Sequence, residues 1–161
     1  MPISYASDSG LFIMNLVTST QIDIPCRPEE VNDTISVLFE GETPRGRSIG
    51  YTGYTSTENR VVNVTIKLHV DMVKGALEDL VNKFKALEYP NYETGMVIPP
   101  NCYLNLYRGI RMTALCTQCD VLWHGDIKDS AYTHADVSLT MRNTVDIPYT
   151  ATVVESSGNN V

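Results

Sequence analysis

Residues 60–70 read RVVNVTIKLHV and residues 71–89 read DMVKGALEDLVNKFKALEY, and the join between them decides the fold. In the first stretch Val62, Val64, Ile66, Leu68 and Val70 alternate with Val61, Asn63, Thr65, Lys67 and His69. That two-residue period is a strand with one apolar face. In the second, Met72, Val73, Ala76, Leu77, Leu80, Val81, Phe84 and Leu87 recur every three to four residues, the stripe of an amphipathic helix. The spacing predicts one helix from Asp71 to Tyr89. Asp71 is placed to accept from the first free amides, and Pro90 disfavours helical geometry at Tyr89.

Further strands follow on either side. Ala135 to Arg142 alternates through Val137, Leu139 and Met141; Ile35, Val37 and Phe39 predict another strand, and Leu11 to Val17 one buried on both faces or near an edge. Strand character returns at Cys102 to Tyr107 and continues from Ile110. There the apolar positions are even through Met112, Ala114 and Cys116, then odd through Cys119, Val121 and Trp123. Side chains alternate strictly along a strand, so this slip requires a bulge near Thr117 and Gln118. Strands, one helix and more strands, without a βαβ rhythm, predict an α+β fold. The expected architecture is a mainly antiparallel β-sandwich or partly closed barrel flanked by the helix. Residues 1–154 are expected to form one domain, with an exposed loop or hairpin at 41–59 and a flexible tail at 155–161.

Composition narrows the function. The chain has 161 residues, 43% of them hydrophobic, enough for a core without metal or disulfide staples. A net charge of −7 argues against a polynucleotide reader, which needs clustered Lys and Arg. The apolar run at Leu11 to Met14, resumed at Leu16 and Val17, is far short of the roughly 20 residues that span a bilayer. No basic stretch precedes it, as a secretory signal would require, so synthesis in a cytoplasm is expected.

Candidate chemistry is sparse. Cys116-x-x-Cys119 has neither the second pair of a zinc ribbon nor the βαβ context of a redox site, and reads as structural thiols. His69, His124 and His134 lack ligand spacing and read as strand-face or turn residues, while Asp120 and Asp126 flank Trp123 and His124 without an assembled site. No enzyme is expected, and no catalytic, cofactor or metal site. The more telling feature is nine tyrosines, with Tyr51, Tyr54, Tyr89, Tyr92, Tyr103 and Tyr107 as candidate interface anchors. Arg45, Arg47, Tyr51 and Tyr54 in the Gly-rich excursion are the candidate subunit interface. Cys26 and Cys102, each beside prolines and expected at the surface, are candidate inter-subunit thiols.

The stretches KFKALEYPNY (83–92), GMVIPPNCYLNL (95–106), GIRMTALCTQCDVLWHG (109–125) and AYTHADVSLTM (131–141) together resemble a family of baseplate proteins from contractile phage tails. The matching features are the Tyr89-Pro90 helix end, the Pro99-Pro100 link, the Trp123 strand and the alternation of Ala135, Val137 and Leu139. The resemblance implies a tail-tube-like fold and a virion protein assembled in the host cytoplasm. Its subunits would form a six-fold ring at the junction of baseplate hub and tail tube, initiating the tube or clamping its first ring. Partners would be copies of itself and neighbouring baseplate and tube proteins, with DNA only as cargo passing through an acidic lumen and no membrane insertion. Many relatives carry a LysM module; none is expected here, where a polar tail follows Val154. The competing expectation is a small soluble β-barrel that binds a ligand.

Overall fold

The computed structural model describes residues 10–42, 45–46, 50–93, 95–106 and 110–144. In the first half of the chain the strands are β1 (Phe12–Asn15), β2 (Thr20–Asp23), β3 (Glu30–Thr34), β4 (Val37–Glu42), β5 (Tyr51–Thr57) and β6 (Val61–His69). Helix α1 (Leu77–Ala86) follows, then β7 (Asn91–Glu93), β8 (Met96–Ile98), β9 (Asn101–Leu106), β10 (Ile110–Lys128) and β11 (Ala131–Asn143). Seven strands form one sheet in the order β2-β1-β9-β10-β11-β6-β3, and every pairing in it is antiparallel. Two small ribbons, β4–β5 and β7–β8, stand outside that sheet. The fold is α+β, and the sheet does not close into a barrel: β2 and β3 are its two edges.

One face of the sheet supplies the core. Val62, Val64, Ile66 and Leu68 of β6 and Ala135, Val137, Leu139 and Met141 of β11 are buried, as alternation requires. Cys102, Leu104 and Leu106 of β9, Ile13 of β1 and Ile22 of β2 join them. Leu77, Val81, Phe84 and Leu87 of α1 close this core from above. Glu78 and Asp79 in the first turn and Lys83 and Lys85 in the last complement the helix dipole. In β10 the core-facing positions change phase where expected, because its register on β11 shifts between Cys116 and Gln118. Cys119, Val121 and Trp123 then pack against the core as partly buried side chains.

Two expectations need correction. The helix does not begin at Asp71: a single 3-10 turn, Val70–Met72, comes first, and α1 starts only after Gly75, whose φ of +113° breaks the path. Asp71 lies inside that turn, ahead of α1, and its amide donates to His69 Nδ1 at 3.1 Å. Ala76 takes the N-cap position without a side-chain hydrogen bond. The strand read through Ile35, Val37 and Phe39 begins only at Val37, as β4, with Ile35 in the link from β3, and all three apolar side chains are exposed. The expected mainly antiparallel α+β fold flanked by one helix holds, without a closed barrel, and no helix of the described residues is long and apolar enough to cross a membrane.

Phe84 is completely buried at the centre of the helix stripe. Phe84→Ala is expected to destabilise the fold by about 3–5 kcal/mol, through lost burial and the cavity left behind. Phe39→Ala, at an exposed position, is expected to change stability by less than about 0.5 kcal/mol. Urea denaturation of the two variants beside the parent checks both figures.

Candidate subunit interface

The β4–β5 ribbon grows from a braced base. Arg60 grips Asp33 with Nε on Oδ1 at 2.8 Å and Nη2 on Oδ2 at 2.5 Å, a two-pronged pair joining the end of β3 to the start of β6. Such fork-to-fork contacts fix direction as well as distance. The Glu58 amide donates to the Ser36 carbonyl at 2.8 Å, closing the ribbon's neck, and Asn59 Nδ2 donates to the Asn143 carbonyl at 3.0 Å. Beyond this neck the strands pair from Val37↔Thr57 to Glu42↔Tyr51, with an irregularity between Leu38 and Phe39.

The ribbon's side chains meet solvent. Phe39 is 60% exposed and Tyr54 63%, and Ile35, Val37 and Leu38 are exposed beside them. Phe39 and Tyr54 form an edge-to-face pair, with centroids 6.1 Å apart at 77°, and Tyr54 Oη lies 2.8 Å from Thr57 Oγ1. The aromatic pair is thus held in one orientation with its broad surfaces free. Arg45 is exposed in the turn between the strands. Tyr51 pairs with Glu42 through its backbone, and Arg47 lies outside the described residues. Of the predicted interface, Arg45, Tyr51 and Tyr54 therefore share one projecting ribbon. The sequence reading placed Val37 and Phe39 on a strand but did not count Val37, Leu38 and Phe39 among the interface residues; the sign was three consecutive apolar residues with no polar face, just ahead of Gly41.

The other tyrosines divide. Tyr89 and Tyr92 are exposed, the latter on the β7–β8 ribbon with exposed Met96 and Val97. Tyr103 lies against Phe12 with centroids 6.2 Å apart, and Tyr107 is outside the described residues.

The cysteines are free thiols. Cys102, expected at the surface, is 0% exposed and donates from Sγ to the Pro100 carbonyl at 3.2 Å, because its β9 position faces the core. It is not placed to reach a neighbouring subunit. Cys26 is half-buried, with Sγ donating to the Lys67 carbonyl at 3.2 Å, and burial pushes its thiol up from the ordinary value. Burial is also the main cause that lifts Cys102 to about 11, Cys116 to about 12 and Cys119 to about 11. Such thiols are poor nucleophiles at neutral pH. Cys116 Sγ donates to the Gln118 carbonyl at 3.5 Å across the bulge. Among the described residues no group of three or more His, Cys, Asp or Glu side chains is arranged to hold a metal ion.

A groove of about 350 Å³ lies between the β1–β2 turn and the end of α1, lined among others by Asn15, Thr20, Ile22, Lys83, Leu87 and Pro90. It is a surface groove, not the interior of a barrel.

No family model and no curated protein matches the chain. Among the solved structures similar to it are two from gene transfer agent particles. One is a chain from the tail of an empty gene transfer agent particle with C6 symmetry: TM-score 0.44, 13% identity, covering 88% of this chain and 95% of that one. The other is a chain from the virion of a native gene transfer agent particle: TM-score 0.42, 11% identity, covering 89% and 97%.

Iodoacetamide at neutral pH is expected to leave Cys102 and Cys116 unlabelled in the folded protein and to label all four thiols after denaturation, as read by mass spectrometry. Stability is expected to fall as pH rises above about 9, since unfolded thiols ionise there while the folded ones hold their protons to about 11 or 12. Thermal melts between about pH 8 and about pH 11 read that slope.

Proposed function

We propose that this chain is a structural subunit of a phage-like contractile tail. Copies of it form a six-fold ring at the junction of baseplate hub and tail tube, initiating or adapting the tube. The observation that carries the reading is the β4–β5 ribbon. A two-stranded ribbon alone is marginal in water, and an exposed apolar cluster on it marks a contact surface. Phe39, Tyr54, Leu38 and Val37 gain burial only when another surface covers them. The resemblance over residues 83–141 names the kind of assembly in which that surface would be a neighbouring copy. Contacts between different faces of identical subunits close into a ring when their rotation permits.

On this reading the protein is no enzyme; it works in the virion, where tube and baseplate proteins are its neighbours and DNA is passing cargo. The charge of −7 suits a lumen along which DNA slides without sticking. The ligand-binding barrel is the weaker reading. The face that would hold a ligand is filled by Leu77, Val81, Phe84 and Leu87 of α1, and the sheet is open.

Because Ser36 and Glu58 are already hydrogen-bonded, residues 37–57 can be replaced by two glycines without strain at the join. The excised protein is expected to keep its far-ultraviolet circular dichroism and cooperative melt but to remain monomeric. The intact chain is expected to form rings in negative-stain micrographs at high concentration or with its baseplate neighbours. An intact chain that stays monomeric under all these conditions overturns the ring. An excised chain that still assembles overturns the ribbon as its contact.

A further inference from the structure

The groove between the β1–β2 turn and the end of α1 differs in chemistry from the rest of this acidic chain. Its walls are apolar at Val17, Ile22, Leu87 and Pro90, and Lys83 is the cation that lines it. No Asp or Glu among the described residues lines it, although acids outnumber Lys and Arg by 19 to 12 along the chain. Glu88, the residue after Leu87, is engaged elsewhere, accepting the Cys119 amide at 2.5 Å. At about 350 Å³ the groove falls within the roughly 300–1,000 Å³ of binding clefts.

One wall also holds out a donor. Asn15 is 8% exposed and lines the groove. Its Oδ1 accepts the Val17 amide at 3.0 Å and the Thr18 amide at 3.2 Å, which fixes the side chain. Its Nδ2 has no hydrogen-bond partner among the described residues. An amide nitrogen held in that way is satisfied by water or by the oxygen of an occupant. The groove therefore suits a segment with large apolar side chains, a carboxylate beside them and a free oxygen.

The β4–β5 ribbon carries all three. Residues 37–42 read VLFEGE, with exposed Phe39 next to exposed Glu40. Phe39 and Tyr54 stand together, and β4 pairs with β5 alone, so backbone carbonyls along its other edge are free. A chain cannot seat its own ribbon. Five antiparallel pairings separate β1 from β3, so the two strands run in opposite directions. The turn after β1 and the ribbon after β3 thus leave the sheet at opposite ends of its strands, and on opposite edges. Five strand spacings of about 4.8 Å add roughly 24 Å between them.

We propose that this groove is the seat for the β4–β5 ribbon of a second copy of the chain. Phe39 and Tyr54 enter between the apolar walls, the Glu40 carboxylate meets Lys83, and a free β4 carbonyl accepts from Asn15 Nδ2. The proposal rests on the reading of the ribbon as a contact, and adds what receives it. Ribbon and groove are different surfaces, so each copy seats one neighbour's ribbon and offers its own to the next. Such head-to-tail contacts close into a ring or run on as a filament.

Two full-length variants, each keeping one half of the contact, test this. Phe39→Asp with Tyr54→Asp disables the ribbon and leaves the groove; Lys83→Glu with Ala86→Glu puts two acids in the groove and leaves the ribbon. All four positions are exposed, so both variants are expected to keep the parent's melt. By sedimentation, each alone is expected to be a monomer and their mixture a 1:1 dimer that grows no further. In the ribbon-disabled protein labelled with ¹⁵N, the Thr18, Thr20 and Lys83 resonances are expected to shift on adding the groove-disabled one. Lys83→Glu in the former is expected to weaken the dimer about tenfold, and Glu40→Lys in the latter to restore it. No dimer, or shifts confined to other surfaces, overturns the groove even where the intact chain forms rings. A 1:1 dimer from a chain that forms no rings supports the groove and counts against the ring alone. Groove resonances that move only with a different tail protein overturn the second copy as occupant.

Discussion

A strand that runs nineteen residues while changing partners must keep its apolar side chains in one core, and the rest of this molecule depends on how β10 does so. Its first part pairs with β9 and the rest with β11, so it joins the two halves of the sheet. An uninterrupted strand would present Cys119, Val121 and Trp123 to the wrong face. One unpaired residue, Thr117, between Cys116 and Gln118 restores the phase. The Glu88 carboxylate, just past α1, accepts the Cys119 amide at 2.5 Å, which ties the bulge to the helix end. The bulge, the helix and the shared core are thus one constraint, and β1, β2, β6 and β3 add outward from it.

Much of this was legible because it is local. Alternation in Arg60 to Val70 and Ala135 to Arg142, and the parity change at Cys116 to Cys119, are properties of consecutive residues. They survive folding because each strand has one buried face. The helix start was misread because Met72 and Val73 continue the stripe in sequence, whereas Gly75 breaks the backbone path that would extend it. Val37 and Phe39 were read as strand residues, which they are, but their exposure was not legible. Period two identifies a strand but not whether anything covers its apolar face, and here the pairing strand is β5 rather than the main sheet. The ring contacts of His134 with His69 and His124 were illegible because they depend on two registers: β6 on β11, set between segments some sixty residues apart, and β10 on β11, which shifts just past His124. Cys102 likewise looked exposed from its neighbours Pro99 and Pro100, although its parity on β9 already placed it with Leu104 and Leu106.

The outer face of the sheet and the ribbons carry opposite chemistry, and the difference bears on how copies meet. Across β3, β6, β11 and β10 the outer face is laced by short polar contacts. Lys67 holds Glu29, Thr140 Oγ1 donates to Asn63 Oδ1 at 2.9 Å and His124 meets Asp136. Polar groups satisfied within the face offer a neighbour little to replace the water it would displace. Exposed aromatic and aliphatic side chains are concentrated on β4–β5 and β7–β8 and at the β10–β11 tip, with Leu122 exposed on the outer face itself. A chain with net charge −7 also repels its copies at long range. Association then requires short-range burial that outweighs that repulsion, and the projections hold the densest apolar surface for it. The polar face and the acidic charge thereby act against unspecific stacking, while the braced neck at Arg60 and Asp33 presents the ribbon in a fixed direction. Affinity and selectivity for a neighbour reside in different parts of one small fold.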